Sequence, residues 1–243
     1  MANRKRAEAR RKAAAKAQGG GGGKTWMWVT IAAVVVVAIV GVVIATSGGD
    51  DNTPAAGDST TSTVGGLADL PTSQPVTVTG DPLPAFDSAK SPDPAVGTSA
   101  PVLDGKNFNG QDIKVDAADG AYMLVFLAHW CPHCNAEVPR LIDWRNSGAV
   151  PEELRVIGVA TAVSPTAVNF PPAQWFSNKG WPWPVLVDES QGDAAAGKAA
   201  QAYGATGWPY FVIVGKDGKV KVRVSGEVEI TDLQKIVDQA LAN

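Results

Sequence analysis

Cysteine is almost absent: the 243 residues hold two, Cys131 and Cys134. A disulfide scaffold needs more of them at longer spacings, so that class is excluded, and both thiols share one C-x-x-C. Histidine is as scarce, with His129 and His133 alone. A zinc site would have to draw on these four residues, which all fall within six positions and are too cramped to wrap a tetrahedral ion. Asp104, Asp112, Asp116 and Asp119 lack metal-loop spacing and are expected to be solvated. Internal repeats are missing. So is a basic face on the body of the chain: the first 24 residues hold eight Lys/Arg and one acid, Glu8, so that the formal charge of −3 leaves about −10 for the rest. A nucleic-acid-binding domain would carry its basic residues on a folded surface, so that class is excluded too.

Charge is also lacking from residues 26–45, WMWVTIAAVVVVAIVGVVIA. Twenty residues at about 1.5 Å each span roughly the 30 Å hydrocarbon core of a bilayer. Core helices seldom run this long without a polar face. Trp26 and Trp28 stand at one end, where aromatic rings favour the headgroup region. The basic tail precedes the span and Asp50, Asp51 and Asp58 follow it, which predicts a single pass with the N-terminus cytoplasmic and residues 48–243 outside. The run is longer than a signal-peptide core, Ala45-Thr46-Ser47 is a weak cleavage site, and no cysteine follows for a lipid anchor, so an uncleaved signal-anchor is expected. Residues 48–80 are rich in Gly, Pro, Ser and Thr and read as a flexible tether. The proline-containing stretch after it reads as an extended lead-in.

The pattern changes near residue 102. Tyr122–Ala128 and Leu154–Ala160 are continuous apolar runs, as expected of central strands covered on both faces. Helices are expected over 132–147, 173–178, 193–203 and 231–242, with Thr231 as the N-cap of the last and Leu233, Ile236, Val237 and Leu241 on its apolar face. Val185–Val187 is a short strand. Tyr210–Val214 and Val220–Ser225 form a hairpin through Lys216-Asp217-Gly218-Lys219. Alternation of strand and helix, closed by a hairpin, predicts an α/β fold with a mixed central sheet flanked by helices.

The first central strand runs straight into His129-Trp130-Cys131-Pro132-His133-Cys134. A helix opening there places Cys131 at its N-terminus, where free N–H groups and the macrodipole favour a thiolate. Pro132 suits the first turn because it has no N–H to leave unpaired. His133, when cationic, would stabilise the same thiolate. Cys134 lies one turn on, within reach of a small disulfide. Such a pair attacks a substrate disulfide through Cys131 and resolves the mixed disulfide through Cys134, or runs in reverse to donate one. As a purely structural bridge it would close a tiny loop and contribute little stability. His129 is expected to be an exposed loop residue. Trp175, Trp181 and Trp183 are expected to pack an insert onto the domain, with a substrate-groove wall as the alternative.

These residues resemble the thioredoxin-fold, TlpA/ResA-like group of thiol–disulfide oxidoreductases. Trp130-Cys131-Pro132-His133-Cys134 matches the active site, Pro139 the helix proline, Gly207-Trp208-Pro209 the cis-proline loop and Lys216-Asp217-Gly218 the following hairpin. The resemblance implies a cis Pro209 beside Cys131, with Trp130, Trp208 and Pro209 meeting an extended substrate segment, Trp208 through its backbone. The expected organisation is then a basic cytoplasmic tail 1–24, transmembrane helix 25–47 and linker and lead-in 48–95, read from charge and composition, followed by the thioredoxin-like redox domain 96–243 that the resemblance implies. Expected partners are protein thiols or disulfides and a membrane thiol-electron shuttle or oxidant. No cofactor or metal is called for.

Two departures leave the direction of electron flow open. Thioredoxins carry a buried acid six residues before the first cysteine, where this chain has Val125. The Pro-His dipeptide is that of disulfide-donating DsbA-type enzymes, whose potential lies about 150 mV above that of thioredoxin. A reductase of the cytochrome c maturation type and a DsbA-like oxidase are therefore both alternatives, with a membrane-tethered docking module as the non-enzymatic one. A peroxidase is disfavoured, since Ala128 replaces the threonine of the peroxidatic Thr-x-x-Cys pattern.

Overall fold

The structure, a computed structural model, describes residues 66–242. The basic tail, the apolar span and the linker as far as residue 65 lie outside the described residues. Among the described residues no helix is long and apolar enough to cross a membrane.

The run Tyr122–Leu127 forms β4, and all six residues are buried. Its side chains divide by the strand's period of two. Met123, Val125 and Leu127 enter one apolar cluster, and Tyr122, Leu124 and Phe126 enter another. A strand covered on both faces has no polar side, which is why its sequence is unbroken by polar residues. β4 pairs in parallel with β5 (Arg155–Ala160) and antiparallel with β7 (Tyr210–Val214). The sheet runs β1 (Thr77–Thr79), β2 (Val102–Lys106), β6 (Val185–Val187), β5, β4, β7, β8 (Val220–Ser225), and β3 (Asp112–Val115) pairs with β2 off this path. It is mixed, as the alternation and hairpin predict. The turn Gly215–Lys219 closes β7 onto β8, with Gly218 at φ +74° and the Lys219 N–H donating to Asp217 Oδ1.

Helix α1 (Pro132–Asn146) buries Cys134, Val138, Leu141 and Trp144. With α2 (Pro172–Lys179) and α4 (Ile230–Ala242) it supplies the cluster containing Met123 and Val125. Each large apolar side chain removed from water there contributes roughly 1.5–3 kcal/mol. Pro139 lies inside α1 and cannot donate to the carbonyl of Asn135 four residues earlier. Lys179 Nζ, from the end of α2, donates to that carbonyl instead at 3.3 Å. Helix α3 (Lys198–Ala202) and Tyr203 complete the second cluster.

Three expectations are corrected. The helix expected over 193–203 is cut to Lys198–Ala202, because its start is set by Asp188, whose carboxylate accepts the N–H groups of Ala199 (2.7 Å) and Ala200 (3.2 Å). Thr231 is not an N-cap: α4 starts at Ile230, and the carbonyl of Glu229 accepts from Asp232 and Leu233. The folded part begins well before residue 96. β1 pairs with β2, Leu83 and Ala95 are buried, and Arg223 of β8 reaches back to Asp93 and Pro84.

Candidate active site

β4 ends at Leu127 and α1 opens at Pro132, which puts Cys131 at the helix N-cap position. Asn135 fixes this turn. Its amide donates to the carbonyls of Cys131 (3.0 Å) and His129 (3.3 Å), and its Oδ1 accepts the indole N–H of Trp175 at 2.9 Å. Trp175 and Phe176 are thus buried packing, and the half-buried Trp181 and Trp183 continue the row of edge-to-face rings beside them.

His129 is buried, not exposed. The Ser164 N–H donates to its Nε2 at 3.3 Å, so Nε2 carries no proton, and Nδ1–H donates to the carbonyl of Val168 at 2.9 Å. Burial holds its pKa below the ordinary histidine value. A neutral ring with both nitrogens occupied is a strut for the 161–170 segment and puts no charge near the thiols. Trp130 is tied to the same segment, its indole N–H donating to Ala162 O at 2.7 Å.

Both cysteines are free thiols, Cys131 5% exposed and Cys134 fully buried. Their acidities are driven apart. The hydrogen bond from Cys134, the N–H groups of Cys134 and His133 and the charge of His133 bring Cys131 down to about 6. Burial, and then the neighbouring Cys131, push Cys134 far above the ordinary thiol value. The protonated Cys131 Sγ donates to the carbonyl of Trp208 at 3.5 Å, and the Trp208–Pro209 bond is cis. The carbonyl of Pro209 accepts the N–H of Gly226 at 2.8 Å, joining this loop to the turn between β8 and α4.

That turn carries Glu227, whose Oε1 lies 2.8 Å from His133 Nδ1. The hydrogen bond that His133 donates to this carboxylate raises the histidine pKa. Arg140 spans the neighbouring acids, at 3.1 Å from Glu227, 3.5 Å from Glu137 and 3.6 Å from Glu229.

Glu137 escaped the sequence reading. It is fully buried, its Oε2 accepts the Val228 N–H at 3.2 Å, and its Oε1 has no partner. Burial lifts its pKa to about 7. One turn beyond Cys134 on the same helix, its charge also raises that thiol. The available signal was an acid three residues after the second cysteine, the spacing that shares a helix face. Val125, at the strand position of the thioredoxin acid, is apolar core. Among the described residues no cluster of His, Cys, Asp or Glu could hold a metal ion.

The AhpC/TSA family pattern matches residues 96–223. Mouse nucleoredoxin is 28% identical over 124 residues, covering 50% of this chain and 26% of its own length. The chain therefore spans about a quarter of the curated relatives it matches. A thiol:disulfide interchange protein of the thioredoxin family from Chlorobium tepidum is similar over 59% of this chain and 96% of its own, at 23% identity and a TM-score of 0.47. A secreted Mycobacterium tuberculosis disulfide oxidoreductase is similar over 56% of this chain and 93% of its own, at 20% identity and a TM-score of 0.43.

Proposed function

The chain belongs to the AhpC/TSA family of thioredoxin-fold thiol–disulfide oxidoreductases, and from that premise we propose that it reduces disulfides of protein partners outside the cytoplasm through Cys131 and Cys134. The observation that carries this reading is the opposed acidity of two adjacent thiols: one is set to be a thiolate at neutral pH and the other to stay protonated until needed. Cys131 thiolate attacks one sulfur of the partner disulfide, that S–S bond breaks, and the departing thiolate takes a proton. Glu137, as a carboxylate, takes the proton of Cys134. The Cys134 thiolate then attacks the Cys131 sulfur, the mixed disulfide breaks and the second partner thiol leaves. Two electrons pass from enzyme to partner, and the enzyme ends as the Cys131–Cys134 disulfide.

The Trp208 carbonyl loses its donor when Cys131 deprotonates. It then becomes an acceptor for an N–H of an extended partner segment next to the sulfur, a form of strand addition. Pro132 opens the helix and leaves its first-turn N–H groups to the thiolate. Cys131→Ser should abolish turnover, and a variant as active as the parent would sink the reading.

Direction is tested by equilibrating the whole chain with glutathione. A potential near about −270 mV supports the reductase, and one near about −120 mV supports a disulfide donor, the reading that His133 beside the thiolate favours. The uncharged run 26–45 after a basic tail supports a membrane anchor with the redox domain outside, re-reduced by a membrane thiol shuttle. A C-terminal reporter that matures only outside the cytoplasm should be active; a silent one alongside an active cytoplasmic reporter refutes that placement.

A further inference from the structure

We propose that Glu227 is a positioning residue of the redox centre: from the turn between β8 and α4 it holds the His133 imidazole at the thiolate end of α1 and, through Arg140, ties that imidazole to Glu137 on the Cys134 side. This deepens the exchange reading and rests on it, but its test reads the thiol itself and not turnover.

The side chain of His133 is 65% exposed. An exposed imidazole on the first turn of a helix spreads over several rotamers, and solvent and salt screen its charge. One oxygen of Glu227 fixes it at 2.8 Å, and the other oxygen is held at 3.1 Å by Arg140 Nη1. Arg140 is itself shared with Glu137 and Glu229. The groups facing His133 are therefore Glu227 from the turn and the Cys131 thiol from its own helix; those facing Glu227 are His133 and Arg140. A row of partners thus leads from the neighbour of Cys131 to the buried acid beyond Cys134. The turn itself is secured on both sides of Glu227, by the Gly226 N–H on the Pro209 carbonyl and the Val228 N–H on Glu137.

Two accounts of Glu227 predict opposite signs. A bare negative charge near the sulfur disfavours the thiolate, so removing it lowers the Cys131 pKa. A carboxylate that keeps His133 charged and in place favours the thiolate, so removing it raises that pKa. Glu227→Gln in the full chain, titrated by thiolate ultraviolet absorbance and by the pH dependence of alkylation, should move the Cys131 midpoint up by roughly half a pH unit, the size of a solvent-screened pair. His133→Ala should give a similar rise, and Glu227→Gln added to His133→Ala should give no further change. A downward shift, an unchanged midpoint, or an undiminished effect in the His133→Ala background would each overturn the proposal. Urea unfolding of the same variants shows whether the turn is intact. Retained exchange in Cys131→Ser would defeat the function reading and leave the titration result standing.

Discussion

Arg223 and Arg140 each gather acceptors, and the two clusters differ in how completely their polar atoms are matched. Arg223 is fully buried. It clasps Asp93 through Nε at 2.8 Å and Nη2 at 2.5 Å, donates through Nη1 to Pro84 O and Tyr203 O, and lies over the Phe86 ring. Its hydrogen bonds hold the Asp93 carboxyl below the usual range. Arg140 is partly exposed, its contacts run from 3.1 to 3.6 Å, and its buried partner Glu137 keeps an oxygen with no partner. The closed cluster fastens the N-terminal lead-in to β8. The open one leaves an acid at about 7, able to take or give a proton. Complete matching fixes a charge state; incomplete matching makes one adjustable.

The sharpest way to break this comparison is Arg223→Ala. Removing this buried guanidinium, and with it the ion pair of the partly buried Asp93, should cost about 3 kcal/mol in urea unfolding while the thiol titration stays put. A loss below about 1 kcal/mol would place Arg223 in the adjustable class.

Glu137→Gln comes next. The folded-state pKa of Glu137, about 7, lies above its ordinary 4.5, so the folded chain holds the extra proton between those values. Its contribution is full below about pH 4.5 and lost as pH rises through about 7, which should remove about 3 kcal/mol of stability over that window. The Gln variant should flatten this slope and accumulate mixed disulfide during exchange. A slope identical in the two proteins would show that Glu137 is an ordinary carboxylate.

Arg140→Ala should have the smallest effect on stability, under about 1 kcal/mol, because the side chain is partly exposed. It should still raise the Glu137 titration midpoint, since the Arg140 charge holds that carboxyl down. No movement would mean that Arg140 and Glu137 are electrostatically separate.

Much of the fold was legible in the sequence. β4 and β5 announced themselves as apolar runs because both faces are covered, and the β7–β8 hairpin was marked by Asp217-Gly218. The N-terminal strands were not legible. β1 is three residues, Thr-Val-Thr, with both threonines exposed, and β2 reads VLDGK because only Leu103 is buried. Neither makes an apolar run. The lead-in is held instead by scattered anchors, Leu83, Ala95 and the Asp93–Arg223 pair, whose partners are distant in sequence. The burial of His129 depended likewise on Ser164 and Val168, which no local pattern connects to it. For the site, the cysteine pair was plain from spacing. The buried acid stands on the helix, as Glu137, and not at the strand position that Val125 fills.

The hydrogen bond from Gly226 to the Pro209 carbonyl has a mechanical consequence. It rivets the loop that faces the reactive sulfur to the turn that grips the imidazole, so the two form one stiff bracket around the helix end. A polypeptide pulling on the backbone of Trp208 loads that bracket as a whole. The force reaches Glu227 one residue beyond the rivet, and grip on a partner and tuning of the sulfur are felt through the same joint.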